Sequence, residues 1–148
     1  MRKRDPIASE LDGLLEEAGF VRKKQAWYLR GREVTAFAEL QRSQWGPEVY
    51  LNLAAWVQLI EPCEWPRGDR AHLRLRLGTI VPANSDVEVE STPGRAAVVG
   101  GSTDFRELVR DIAIPTLRSW TSIEGIRRAD QSGALVRALV DRRVRDLL

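Results

Sequence analysis

Residues 33–59 read EVTAFAELQRSQWGPEVYLNLAAWVQL. Val34, Ala36, Ala38 and Leu40 alternate with Thr35, Phe37, Glu39, Gln41 and, further on, Ser43. After a break at Ser43-Gln44-Trp45-Gly46-Pro47, Val49, Leu51, Leu53, Ala55, Val57 and Leu59 alternate with Tyr50, Asn52, Ala54, Trp56 and Gln58. A period of two places successive side chains on opposite faces of a strand, whereas a helix repeats every three to four residues. The stretch therefore predicts two long strands joined by a turn, with one packed face and one more open face, as in an antiparallel sheet.

Working toward the N-terminus, Gly31-Arg32 is a turn, Ala26–Arg30 and Phe20–Arg22 are short strands, and Lys23-Lys24-Gln25 turns between them. Before them, Ile7, Leu11, Leu14, Leu15 and Ala18 recur at helical spacing, with Glu10, Asp12, Glu16 and Glu17 on the wet side. Asp5-Pro6 suits the helix start, since Asp caps free N–H groups and Pro at the first position forfeits no hydrogen bond. Gly19 suits the left-handed stop.

Toward the C-terminus, residues 60–70 hold two prolines, a glycine and unpatterned charges, and read as a loop. His72-Leu73-Arg74-Leu75-Arg76-Leu77 alternates again, a further strand. Val87–Glu90 and Ala96–Val99 suit short strands among turn residues. From Asp104 the period becomes helical. Asp104 with Glu107 resembles a capping box, Pro115 should kink or end that helix, and Ser122 can cap a short helix through Ala129. Residues 134–148 read as a last amphipathic helix, with Leu135, Val136, Leu139, Val140, Val144 and Leu147 as its stripe. The expected architecture is a single α+β domain over residues 1–148. It has a helix at 6–18 and mostly antiparallel strands over 20–90, about five to six in the sheet. A helical part over 104–148 follows, with the helices packed on one sheet face.

The chain has 148 residues, 43% of them hydrophobic, and a formal net charge of +2 from 23 Lys and Arg against 21 Asp and Glu. That is enough for one self-sufficient core, and a balance that does not by itself point to nucleic acid. The single cysteine, Cys63, excludes an internal disulfide. The basic start lacks the apolar run of a signal peptide, and the most apolar stretch, residues 51–60, is too short to span a bilayer. These features lead us to expect a soluble cytoplasmic protein with no membrane association.

If the strands share one sheet, the face opposite the apolar one collects Phe37, Glu39, Gln41, Ser43, Tyr50, Asn52, Trp56, His72, Arg74 and Arg76, with Tyr28 and Arg30 beside them. Aromatics, amides and arginines together suit an extended partner or an anionic group. The same residue types also suit any solvated pleated surface. Gln41, Ser43 and Asn52 are equally able to satisfy nearby backbone groups. Trp45 is either a partner anchor or a cover for its own turn. Trp27, Trp56 and Trp120 fit packing better than base stacking.

Catalytic signals are sparse. Ser43 has no glycine-flanked elbow, so pairing it with the only histidine, His72, as nucleophile and base is unsupported. Cys63, Glu64, Asp69 and His72 lack the paired spacing of a zinc site. No phosphate-binding loop or dinucleotide fingerprint occurs, and no cofactor or metal is implied.

An ordered set of short motifs resembles a known family. Leu14-Leu15, Gly19-Phe20, Lys23-Lys24, Trp27-Tyr28, Gln41-x-Ser43-x-Trp45 and Tyr50-x-Asn52-Leu53 resemble the bacterial family called domain of unknown function 4304, over about residues 7–60 and, beyond them, the strand starting at His72. The resemblance implies an α+β domain, no assigned activity and no catalytic residue to carry over. Gln41, Ser43, Trp45 and Asn52 are the matching positions, and Gln41, Ser43 and Asn52 of them fall on the polar face.

The leading expectation is a non-enzymatic interaction module whose face, with Gln41, Ser43, Trp45, Asn52, Trp56, His72, Arg74 and Arg76, engages a protein or an anionic ligand. One form of it is a small partner that neutralises another protein. A single-stranded nucleic-acid binder stacking bases on Tyr28, Phe37, Tyr50 and Trp56 is the alternative. An enzyme of unrecognised type using Glu39, Ser43 and His72 is the third reading. The apolar stripe of residues 134–148 also suggests a homodimer through that last helix.

Overall fold

A computed structural model describes residues 6–42, 48–77, 88–90, 97–99 and 105–148. Helix α1 (Pro6–Glu17) is followed by strands β1 (Val21–Lys23), β2 (Ala26–Arg30), β3 (Val34–Arg42), β4 (Glu48–Val57), β5 (Leu73–Arg76), β6 (Glu88–Glu90) and β7 (Ala97–Val99). Helices α2 (Phe105–Leu108), α3 (Ile114–Ser119) and α4 (Ile123–Gln131), strand β8 (Leu139–Val140) and helix α5 (Arg142–Arg145) complete the order. The architecture is α+β. Its main sheet path has six antiparallel strands, in the order β1-β2-β3-β4-β5-β8, with an N-terminal helix and C-terminal helices.

The β3–β4 pairing is the spine. Val34 lies opposite Val57, Ala38 opposite Leu53, and Leu40 opposite Leu51. The register carries the apolar parity across the sheet: Trp27, Ala38, Leu53 and Leu75 form one row, and Leu29, Ala36, Ala55 and Leu73 the next. Ile7, Leu11 and Leu15 of α1 pack on this face, together with Leu108, Ile114, Leu117, Trp120 and Ile126. Removing this apolar area from water is the main stabilising term. On its other edge β4 serves two partners: Asn52–Ala55 pairs with β5, and Glu48–Val49 pairs with β6, which pairs in turn with β7.

Several local signals act as read. Gly19 closes α1 with φ +96, in the left-handed region that favours glycine. Ser122 caps α4, its Oγ accepting the Gly125 N–H at 3.0 Å. Pro115 neither ends nor simply kinks its helix. Val109–Ala113 widens into a π turn, and α3 then carries Pro115 in its first turn, where a missing N–H is tolerated. The capping pair Asp104–Glu107 involves a residue outside the described ones.

The last helix is a correction. Gly133, with φ +83, opens a run of turns, and Leu139–Val140 becomes edge strand β8 opposite Leu73 and Arg74. The Asp141 N–H then donates to His72 O at 2.8 Å. The outer edge of β5 offers unpaired backbone groups, and pairing them outweighs the helical periodicity of residues 134–148. A single helical stripe for self-pairing therefore does not form: Val136 and Leu139 are exposed while Leu135 and Val144 join the core. The expected dimer loses the helix on which it rested.

Candidate functional site on the second sheet face

The face away from the helices is not open along its whole length. Gln58 to Ala71 leaves the end of β4, crosses this face toward β2 and returns to β5. Four side chains of the sheet hold this strap down, and Gln58 braces it from within. Trp56 Nε1 donates to Glu61 O at 2.6 Å, and Tyr28 Oη donates to Pro66 O at 2.8 Å. The Gln58 amide takes the Cys63 N–H and gives its own N–H to Cys63 O, both at 2.8 Å. Arg30 donates to Glu64 O at 3.2 Å, and Glu39 Oε2 accepts the Gly68 N–H at 3.0 Å. Beneath the strap lies a second, smaller core: Ala26, Tyr28, Phe37, Ala54 and Trp56, flanked by Cys63, Trp65 and Ala71. Tyr28 stacks on Phe37 at 5.1 Å and meets Trp65 edge-on at 5.2 Å.

His72 belongs to this covered end. Only 1% of it is exposed, and its ring stacks on Trp56 at 4.1 Å. Its Nδ1 accepts the Val57 N–H at 2.9 Å, so the neutral ring carries its proton on Nε2. Burial first, and the Arg143 charge second, push its pKa below the ordinary histidine value, while Asp141 and Glu61 pull the other way. Burial likewise pushes the Tyr28 hydroxyl up, with Glu39 and Cys63 adding to it.

Register places Asn52 between Glu39 and Arg76, and Gln41 opposite Tyr50, beyond the strap. Gln41 Oε1 is the hub there, accepting from Asn52 Nδ2 at 2.7 Å and from Arg74 Nη2 at 3.0 Å. The Arg76 guanidinium lies 4.0 Å over the Tyr50 ring, a cation–π arrangement. Asn52 is 2% exposed and Gln41 is exposed, so the network rises from a buried amide to surface guanidinium groups.

The eight residues singled out in the sequence thus divide. Gln41, Asn52, Arg74 and Arg76 come together. Trp56 and His72 share the face but lie under the strap. Ser43 and Trp45 are outside the described residues. Tyr28, Phe37 and Trp56 are sealed, which corrects the expectation that they present rings to nucleic-acid bases. Glu39 and His72 do not meet either: Glu39 anchors Gly68, and His72 sits at the start of β5. Among the described residues, no group of three or more His, Cys, Asp or Glu is placed to hold a metal ion, and no helix is long and apolar enough to cross a membrane. The residues missed in the sequence are those of the strap. Their signal was indirect: Trp65 and two prolines in a loop, opposite a strand face too aromatic for open solvent.

These features define a small α+β domain with helices on one face of an antiparallel sheet and, on the other, a strap beside an amide–arginine network. The chain belongs to the family described as Domain of unknown function (DUF4304), whose model matches residues 11–119. The match reaches well past residue 60, through β7 to the end of α3, and leaves edge strand β8 outside it. No curated protein and no solved structure matches the chain.

Proposed function

We propose that this protein is a non-enzymatic interaction module that engages an anionic group, on a protein partner or a ligand, through the Arg74–Arg76 end of its second sheet face. The observation that carries the reading is the neutral hub. Gln41 Oε1 holds Arg74 at 3.0 Å, and an amide orients a guanidinium without cancelling its charge. The planar fork of arginine suits bidentate recognition of carboxylate or phosphate. Asn52, buried beneath, fixes the Gln41 amide in the acceptor orientation.

A small protein that neutralises another by binding it is one form of this reading. Its support is modest size and a buried only histidine, which leaves no imidazole at the surface for acid–base work. The single free cysteine fits a cytoplasmic setting.

The test compares wild type with Arg74→Glu/Arg76→Glu, both checked for folding, as bait in native lysate with and without nuclease. Wild type should hold one protein in stoichiometric amount, released by salt, and the variant should lose it. Equal retention by the variant refutes the reading. A bait whose captured material disappears with nuclease replaces it with nucleic-acid binding.

A further inference from the structure

We propose that the cavity between the strap and the start of β5 is a binding site for a small organic carboxylate with a flat apolar body. The cavity measures about 360 Å³ and lies against Trp56, Trp65 and His72, with Arg67, Arg70 and Arg143 around it. That volume suits a fragment-sized metabolite. It is distinct from the Arg74–Arg76 end of the face.

His72 supplies the first argument. Its Nδ1 is committed to the Val57 N–H, so Nε2 is the N–H donor. That donor is buried, and no acceptor among the described residues reaches it. A buried donor left unmet costs stability, and the bond from the Val57 N–H engages only the other ring nitrogen. The nitrogen therefore calls for an acceptor.

Charge supplies the second. Three arginines line the cavity against one acid, Glu61. Arg67 is paired with Asp69 at 3.3 Å and Arg143 with Asp141 at 2.9 Å. The Arg70 guanidinium has neither ion pair nor hydrogen bond among the described residues. A carboxylate meets both needs, one oxygen accepting from Nε2–H and the other from Arg70. The indole rings of Trp56 and Trp65 offer apolar surface for the body of the ligand. Nε2 is closed to solvent, so the acceptor enters as the strap yields, and binding and strap opening are one event.

The probe is 2-naphthoate, with 2-naphthamide as its neutral isostere. Readouts are tryptophan fluorescence and the NMR signals of the only histidine. The expected result is a saturable response to naphthoate that moves the Nε2–H resonance, with naphthamide at least about tenfold weaker, a factor worth about 1.4 kcal/mol. Arg70→Ala should weaken naphthoate about tenfold and leave the fold unchanged. No saturable response, equal binding of the amide, an unchanged affinity in Arg70→Ala, or saturation that leaves the His72 signals still, each overturns the proposal. His72→Phe should abolish binding. Because it also removes the acceptor for Val57, the Arg70→Ala and naphthamide arms decide the outcome.

Discussion

Gly68→Ala should loosen the strap through a single contact. A Cβ at Gly68 would overlap the Glu39 carboxylate, lying 2.6 Å from its Cδ. Ordinary carbon contacts begin near about 3.5 Å, so the carboxylate must retreat by roughly 1 Å. The Gly68 N–H···Oε2 bond, now 3.0 Å, then passes beyond hydrogen-bonding range. A hydrogen bond to a charged group contributes about 1.5–3 kcal/mol, and this one is partly buried, so the expected loss is about 2 kcal/mol. For a chain of this size that lowers Tm by about 4–8 °C. Gly68 does not occupy the left-handed region, so alanine itself is not strained there. The decisive assay is a double-mutant cycle by urea unfolding. In a Glu39→Ala background both the overlap and the bond are gone, and Gly68→Ala should cost nothing or stabilise by about 0.4–1 kcal/mol through the unfolded chain. A penalty of the same size in both backgrounds would refute the role given to Glu39.

Three further outcomes follow from other contacts. The folded-state pKa of His72 lies below its ordinary value of 6.5, so the unfolded chain takes up its proton first as pH falls. Stability from the neutral ring is complete above about pH 6.5 and is lost as pH drops from there through the folded value. Tm should therefore fall as pH drops below about 6.5, and more steeply than in His72→Phe; parallel curves would show that His72 is not responsible. Asp12 accepts from Arg22 Nη1 at 2.7 Å and Trp27 Nε1 at 2.8 Å; Asp12→Ala leaves a buried indole N–H unmet and should cost about 1–3 kcal/mol by denaturant titration. Gly125→Ala would drive a methyl group into the Ser119 carbonyl oxygen, a backbone atom with little freedom to move, and should cost about 2–3 kcal/mol in the same assay.

How much was legible follows the range of each signal. Alternation in β3, β4 and β5 is local and strict, and the register carries the apolar parity across all three. Parity also grouped Gln41, Asn52, Arg74 and Arg76, since it needs only that their strands be neighbours. It could not tell open face from covered face, because the strap has no periodicity and its anchors lie far off in sequence: Tyr28 with Pro66, Glu39 with Gly68. Parity therefore groups His72 and Trp56 with the arginines on one face without showing that the strap covers them. Helical spacing puts Asp12 on the wet side of α1 although it clamps β1 and β2, since spacing does not show what passes above a helix. Residues 134–148 failed for a different reason. Their helical pattern is real, but the free edge of β5 recruits Leu139 and Val140, and backbone demand from another element overrode local preference.

The strap gathers the only histidine and the only cysteine of the chain. Cys63 is half-buried within it and His72 is sealed under it. Each reagent specific for a thiol or an imidazole thus has one address, and both addresses report the same event. Thiol labelling rates and histidine modification rates should rise together whenever the strap lifts and stay constant through changes elsewhere. The purified molecule carries a native two-channel gauge of its own opening, readable without engineering a reporter residue into the chain.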